Sequence, residues 1–385
     1  MRRVNDATTR AAFQAGPALA HHSSVVRWIR HFAVRRLAFG TSRPVVGLDI
    51  GSSAIKAVEL RAAGSGYCVA AFGTEPVPPD SIVDGVMVDA RGVADAICRM
   101  FERNTAFTAT DACVSLSGHA VIVKTLTLPV MTESDLDESV RWEVEQCAPF
   151  DVQELHVDYQ VLDSDTSPEG RESMHVLLVA ARKERIRDYA GVVARAGRTP
   201  VTVDVDVFAL QNAYHANYGF DAGEGVVLLN VGASAININI LRGGQSVLTR
   251  DIPIGGRAYT EAVQRALDLS RDAAERLKKG IPVDGATVDE VRPLLRAVTE
   301  DVLVEIQKTF DFFSAPASAN GIDRIVLSGG ASRVDGFRRA LEDRFGTPVT
   351  EFDPFRTITW GATMPDACLR PHAPPRASLI SESVR

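Results

Sequence analysis

Apolar positions along the chain fall into a few short repeating designs. Val45–Arg61 (VVGLDIGSSAIKAVELR) and Val226–Arg242 (VVLLNVGASAININILR) each begin with an aliphatic run, pass through Gly and small residues, and resume as an alternating run. That is the pattern of a strand, a tight turn and a second strand. Ala120–Leu128 alternates and is rich in β-branched residues, which predicts a strand ending at Pro129. Thr132 follows as a helix cap, with Met131 and Leu136 placed as a hydrophobic staple and Glu133 and Asp135 in the electropositive first turn. Leu136, Val140, Val144 and Cys147 then share one helical face, and Pro149 ends the helix. Trp142 lies two positions off that row, placed either against the sheet or toward a partner peptide. Strands are predicted at Leu155–Leu162 and His175–Ala181, so this stretch is a small α/β module of one strand, one helix and two more strands. Val201–Tyr218 reads as a strand running into a helix, and Ile325–Leu327 as a further strand. The fold class is α/β.

The two hairpins are copies of one another. At an offset of 181 residues they share nine of 17 positions without a gap, the mark of an internal duplication. A turn built from Gly51, Ser52 and Ser53, or from Gly232, Ala233 and Ser234, exposes backbone N–H groups and hydroxyls with no bulky side chain in front. Such a loop cradles phosphate oxygens, and Lys56 adds a point charge. One Gly-Ser turn is commonplace; two copies opening the two halves of a chain imply duplicated domains facing each other across a nucleotide.

Charge and composition narrow the function classes. The 385 residues carry a formal charge of −7, with 45% apolar and 24% charged residues, the values of an ordinary globular chain. Residues 1–44 hold eight arginines and one acid, +7, which leaves −14 on the remainder. A negative body argues against nucleic acid as partner. Within the arm, Val25, Trp28, Ile29 and Phe32 interleave with Arg27, Arg30, Arg35 and Arg36. This pattern reads either as an amphipathic helix for an anionic membrane surface or as a floppy tail or an early start codon. Pro371–Arg385 reads as an unstructured tail. No apolar run approaches the roughly 18 residues of a membrane span. Five scattered cysteines without a Cys-x-x-Cys pair fit a reducing cytoplasm, and neither they nor the eight histidines form a metal pair. His119 reads as structural or partner-facing.

Paired hairpins of this type resemble the superfamily of actin, the sugar kinases and the heat-shock chaperone ATPases. The resemblance implies duplicated actin-like (ribonuclease H-like) domains flanking a nucleotide cleft. It also implies ATP and Mg²⁺ as ligands. A third superfamily element, a strand and Gly-Gly that back the adenosine, is matched by IVLSGGASRVDGF with Gly329, Gly330 and Ala331. A fourth is DAAERLKKG, where Glu275, Lys278 and Lys279 share a helical face; the similar chaperone stretch contacts adenine and ribose. Gly255 and Gly256 are read as a close approach to the phosphates or as a plain turn. Asp49 is the candidate magnesium-side acid. Its counterpart Asn230 stands where many relatives carry Asp, with no second acid in that hairpin, so hydrolysis is expected to be slow or negligible. Asp206, near the start of the connecting helix, is read either as a residue orienting water or as an N-cap carboxylate.

Within the superfamily, residues 44–357 resemble the PilM family of type IV pilus assembly proteins. The resemblance runs through VVGLDIGSSAIKAVEL, the central block SLSGHAVIVKTLTLPVMTESDLDESVRWEVEQCAPFDVQELHVDYQVL, LTRDIPIGGRAYTEAV and DPF at 353–355. It implies a cytoplasmic scaffold, peripheral on the inner membrane face, that docks the tail of a PilN-type membrane protein between domain 1 and the insert and works with other pilus assembly proteins. The alternatives are an FtsA-like membrane-tethered filament and a small-molecule kinase. The expected layout is a basic arm (1–43), domain 1 (44–118), the inserted subdomain (119–198), a return to domain 1 with the connecting helix (199–222), domain 2 (223–350) and a C-terminal segment (351–385). After 355 the chain departs from the family pattern, which normally finishes with an aliphatic-rich helix packing back on the first domain.

Overall fold

The structure is a computed structural model and describes residues 44–64, 66–116, 118, 121–166, 172–313 and 321–360. The expectations for the basic arm, His119 and the C-terminal tail lie outside these residues. The chain opens with a meander of β1 (Val45–Ile50), β2 (Ala54–Ala63) and β3 (Gly66–Pro76), then the small hairpin β4 (Ile82–Val83) and β5 (Val86–Met87). Helix α1 (Ala90–Arg103) leads to β6 (Asp111–Leu116). The insert follows as β7 (Val121–Pro129), α2 (Glu133–Cys147), β8 (Leu155–Thr166) and β9 (Glu172–Arg182). Helix α3 (Lys183–Arg195), β10 (Thr199–Val205) and α4 (Asp206–Tyr218) carry the chain to its second half. There β11 (Gly225–Val231), β12 (Ile236–Arg242) and β13 (Gln245–Ile252) form a second meander. Helices α5 (Gly256–Leu267), α6 (Arg271–Lys278) and α7 (Val288–Phe313) precede β14 (Arg324–Ser328), α8 (Phe337–Phe345), β15 (Val349–Glu351) and β16 (Thr359–Trp360).

The duplication extends from the hairpins to the whole topology. The first sheet runs β10-β6-β1-β2-β3-β16 and the second β13-β12-β11-β14-β15. In each, three antiparallel strands form the meander, and the first of them pairs in parallel with the fourth. A fifth strand then extends the parallel side. The insert enters the first half between the fourth and fifth strands, where the second half has a short 3-10 turn and α8.

The insert has the order of elements its sequence pattern predicts, with both later strands longer than expected. Its sheet runs β7-β9-β8, all antiparallel. The Thr132 hydroxyl accepts from the Asp135 N–H at 3.3 Å and donates to the Asp135 carboxylate at 2.7 Å, closing the first turn of α2. Leu136, Val140 and Val144 are buried against the sheet with Met131 beside them. Cys147, predicted to join them, is exposed. It is the last residue of the helix, where Ala148 and Phe150 take over the packing. Trp142 is 57% exposed. The sequence reading carries the insert to residue 198; in the structure α3 buries Ile186, Tyr189, Val192 and Val193 in the core of the first sheet alongside α1.

Between the two sheets lies a third core. Val58, Leu60 and Val69 from the first sheet meet Val226, Leu228, Leu241 and Val326 from the second, with Leu210, Ala213 and Tyr214 of α4 among them. Helix α4 has apolar residues all round because it packs against both sheets; Val207, Phe208, Ala209 and Leu210 are all buried. Phe352, Phe355 and Ile358 join this core as the chain returns to add β16 beside β3. Buried polar groups anchor α4 to the second sheet. Asn239 donates to the Val207 carbonyl (3.2 Å) and Gln211 Oε1 (3.1 Å), and accepts from the Ser246 hydroxyl (2.6 Å).

Candidate functional site

The two hairpin turns are built alike. Gly51 N–H donates to the Ala54 carbonyl at 3.2 Å, and Gly232 N–H to the Ala235 carbonyl at 2.9 Å, the same bond 181 residues on. Among the described residues, the N–H groups of Ser52, Ser53, Ala233 and Ser234 donate to no carbonyl. The tips meet: Ser52 Oγ and Ser234 Oγ are 2.5 Å apart. Below the tips, equivalent cross-strand pairs differ in charge. Lys56 Nζ binds Asp49 Oδ2 at 2.6 Å, so the lysine is held at the root of its hairpin by the acid beside it. In the second hairpin Asn230 Nδ2 donates to Asn237 Oδ1 at 3.1 Å.

The acid missing from the second hairpin stands on the next strand. Asp251 of β13 is the cross-strand partner of Asn237 and accepts from its Nδ2 at 2.7 Å. Its other oxygen accepts from Gly118 N–H at 2.6 Å, at the root of the insert. Asp251 escaped the sequence reading because it lies outside the duplicated 17 residues; the signal was an acid in the strand just ahead of Gly255-Gly256.

Both glycine pairs pack on the second hairpin. A Cβ on Gly255 would sit 2.7 Å from the Gly232 and Ala233 carbonyl oxygens, and one on Gly256 would sit 2.9 Å from the Ala331 methyl. Gly256 N–H and Arg257 N–H donate to those same two carbonyls at 2.9 and 2.7 Å, so the hairpin itself caps α5. Gly255 and Gly256, read from the sequence as a close approach to phosphates or as a plain turn, pack on the loop that carries Ala233 and Ser234. Gly329 has φ +86° and a Cβ there would meet the Val231 carbonyl at 2.3 Å and Asn230 Oδ1 at 2.6 Å. Gly330 opens the short 3-10 turn that follows, with Ala331 buried beneath.

Helix α6 brings its triad together. Glu275 pairs with Lys278 at 2.5 Å and Lys279 at 3.1 Å, and the Thr260 hydroxyl donates to it at 2.7 Å. Burial presses the Glu275 carboxyl upward, but Lys278, Thr260 and Lys279 outweigh it and hold it below the usual glutamate range. The same burial pulls the Lys278 ammonium below its ordinary value, and Glu275 offsets this only in part. Lys278 also donates to the Gly256 carbonyl at 3.1 Å, which ties α6 to the start of α5. Asp206 is the first residue of α4 and not its cap: Val205 holds the cap position with no side-chain bond, and Asp206 accepts from the Ser115 hydroxyl at the end of β6.

Two grooves border the insert. One, of about 450 Å³, is polar and lies among Gln153, Glu154, Arg182, Lys183 and Arg187. The other, about 280 Å³, is lined by Val121, Ile122 and Val123 of β7, by Val205 and Val207, and by Thr249–Asp251 of β13.

Comparison with known proteins places the fold. A chain of the PilM-PilN type IV pilus biogenesis complex superposes with a TM-score of 0.78 at 25% identity, covering 89% of this chain and 98% of that one. The ethanolamine utilization protein EutJ from Carboxydothermus hydrogenoformans shares the fold, with a TM-score of 0.54 at 16% identity over 89% of this chain and 90% of that one. Cell division protein FtsA of Bacillus subtilis (strain 168) is 24% identical over 272 residues, 64% of this chain; the match spans 60% of that relative's length. The family model described as type IV pilus assembly protein PilM matches residues 47–378. With that match over most of its length, and the duplicated sheets and insert described above, the chain belongs to the PilM family of type IV pilus assembly proteins.

Proposed function

We propose that this chain is an ATP-binding, actin-like scaffold of a type IV pilus assembly machine. It docks the N-terminal tail of a PilN-type inner-membrane protein and reports nucleotide state to its partners. The observation that carries the reading is the apposition of the two hairpins, tip to tip, with amides at both turns that have no carbonyl acceptor. Such amides suit phosphate oxygens, and Lys56, Lys278 and Lys279 lie on the elements around them. Mg·ATP, when bound, supplies negative charge to both turns and so a reason for the two halves to close. The chain's own residues set the geometry: Gly255, Gly256 and Gly329 hold the second turn in place by backbone approach, Asp49 pairs with Lys56 in the first hairpin, and Asp251 accepts from Asn237 of the second. A phosphate lodged between the tips must replace the Ser52–Ser234 contact.

For the tail, the groove between β7, the start of α4 and β13 is the better docking site, since its valines suit an aliphatic segment and Arg250 and Asp251 line its other side. Placement at the cytoplasmic face of the inner membrane comes through that partner; among the described residues no helix is long and apolar enough to cross a membrane. Hydrolysis is slow, below about 1 per second, the lower end of ordinary enzyme rates. Calorimetric titration of a PilN-type N-terminal peptide, with and without Mg·ATP, tests the reading. Micromolar binding that changes with nucleotide supports it; phosphorylation of a small-molecule acceptor moves the assignment to a kinase, and nucleotide-dependent sedimentation to a filament.

A further inference from the structure

A short polar chain crosses from the second hairpin to the insert. Asn230 donates to Asn237, Asn237 to Asp251, and Gly118 N–H to the other oxygen of Asp251, at 3.1, 2.7 and 2.6 Å. Gly329 packs against the first member, and the last lines the groove that Asp251 itself helps to line. Asn237 is buried and takes part in the first two of these bonds, and all three are at least partly shielded from water. A shift of Asn230 that keeps these bonds displaces Asp251, and with it the acceptor of the Gly118 N–H at the groove.

We propose that Asp251 is the positioning residue that couples the second hairpin to the groove. Through it, a ligand at Asn230 and a peptide beside β7 alter each other's affinity. The proposal rests on the reading that nucleotide and tail bind at these two places. Reciprocity follows from linkage: the factor by which one ligand changes the other's affinity is the same in both directions.

The donors and acceptors in the chain permit a sharp test. In Asp251→Asn one acceptor becomes an amide that faces either Asn237 Nδ2 or the Gly118 N–H, and one link is lost. In the double variant Asn237→Asp with Asp251→Asn the direction of one bond reverses. Residue 237 then accepts from both neighbours, and residue 251 keeps its carbonyl for Gly118. The full-length protein should show peptide affinity changing by about fivefold or more with Mg·ATP, within the usual range of allosteric coupling. Asp251→Asn should bring the ratio to within about twofold of unity, and the swapped pair should restore it. Coupling retained in Asp251→Asn, or not restored by the swap, overturns the proposal. A purely structural role for Asp251 would weaken both ligands and leave their ratio unchanged, which also overturns it.

A second arm needs no ligand. Asn230→Ala should speed amide exchange at Gly118 and along β7 several-fold in the free protein, and unchanged exchange there overturns the relay. If the wild type binds neither Mg·ATP nor peptide, the proposed function fails, and the exchange result alone still decides whether this chain transmits.

Discussion

Ser52 Oγ and Ser234 Oγ lie 2.5 Å apart although 182 residues separate them in the chain. The contact joins the tips of two hairpins that are copies of one another, and it forms only because the shared core around α4 sets the two sheets face to face. In each turn the glycine N–H, of Gly51 or of Gly232, is already engaged within its own hairpin.

Replacing Ser234 by Glu puts a carboxylate at the tip of the second turn. Affinity for ATP should fall at least tenfold, about 1.4 kcal/mol, as like charges oppose each other. The thermal midpoint should move little, because Ser234 is only half-buried. Calorimetry beside a melting curve checks both; undiminished affinity would remove the second turn from the phosphate site.

Gly329→Ala should destabilise the second half by roughly 2–4 kcal/mol. Its φ of +86° disfavours any side chain, and the new methyl would press on the Val231 carbonyl and the Asn230 amide together. Denaturant unfolding reads the loss, and a variant of native stability would show that the turn relaxes freely.

Glu59 makes acid sensitivity predictable. It is fully buried; its carboxylate accepts from Thr108 N–H at 2.6 Å, Thr108 Oγ1 at 2.7 Å and Ala109 N–H at 2.9 Å. Burial alone would raise its pKa, but these donors and Arg61 outweigh it and hold the group below the ordinary 4.5. A depressed carboxylate contributes stability that is complete above its unfolded value and lost as pH falls through its folded one. Glu59→Gln should therefore cost about 2–3 kcal/mol at neutral pH, with the gap to wild type closing below pH 4.5. A gap that is constant with pH would mean that the charge contributes nothing.

Asn239→Ala should cost about 2–3 kcal/mol by stranding Gln211 Oε1 and the Ser246 hydroxyl, while Gln211 Nε2 keeps its bond to the Gly244 carbonyl. Because Asn239 also holds the Val207 carbonyl, amide exchange in α4 should rise more than in α7. Equal protection in the two helices would show that the apolar core alone seats α4.

Much was legible in local pattern. The alternation in Val45–Arg61 and Val226–Arg242, the glycine turns, and the Thr132 cap with its apolar row each follow from interactions within a few residues, and repetition at an offset of 181 raised two ordinary turns to a duplicated fold. Glu275, Lys278 and Lys279 were placed together by helical spacing alone, as their ion pairs show. What stayed hidden depends on strands that meet only in the folded sheet. Asp251 supplies its carboxylate to the second hairpin by cross-strand register, and no spacing along the chain encodes that register. Gly255 and Gly256 were readable as a close approach, but only packing decided that they approach the second turn. Cys147 keeps the apolar rhythm of α2 yet lies at the helix end in solvent, because periodicity assigns a face and not how far the sheet extends beneath it. Local chemistry thus determined the elements and the turns. The meeting of Ser52 with Ser234 and the relay from Asn230 to Gly118 were decided by tertiary packing, since both join chain segments that only the interlocked sheets and α4 bring into contact.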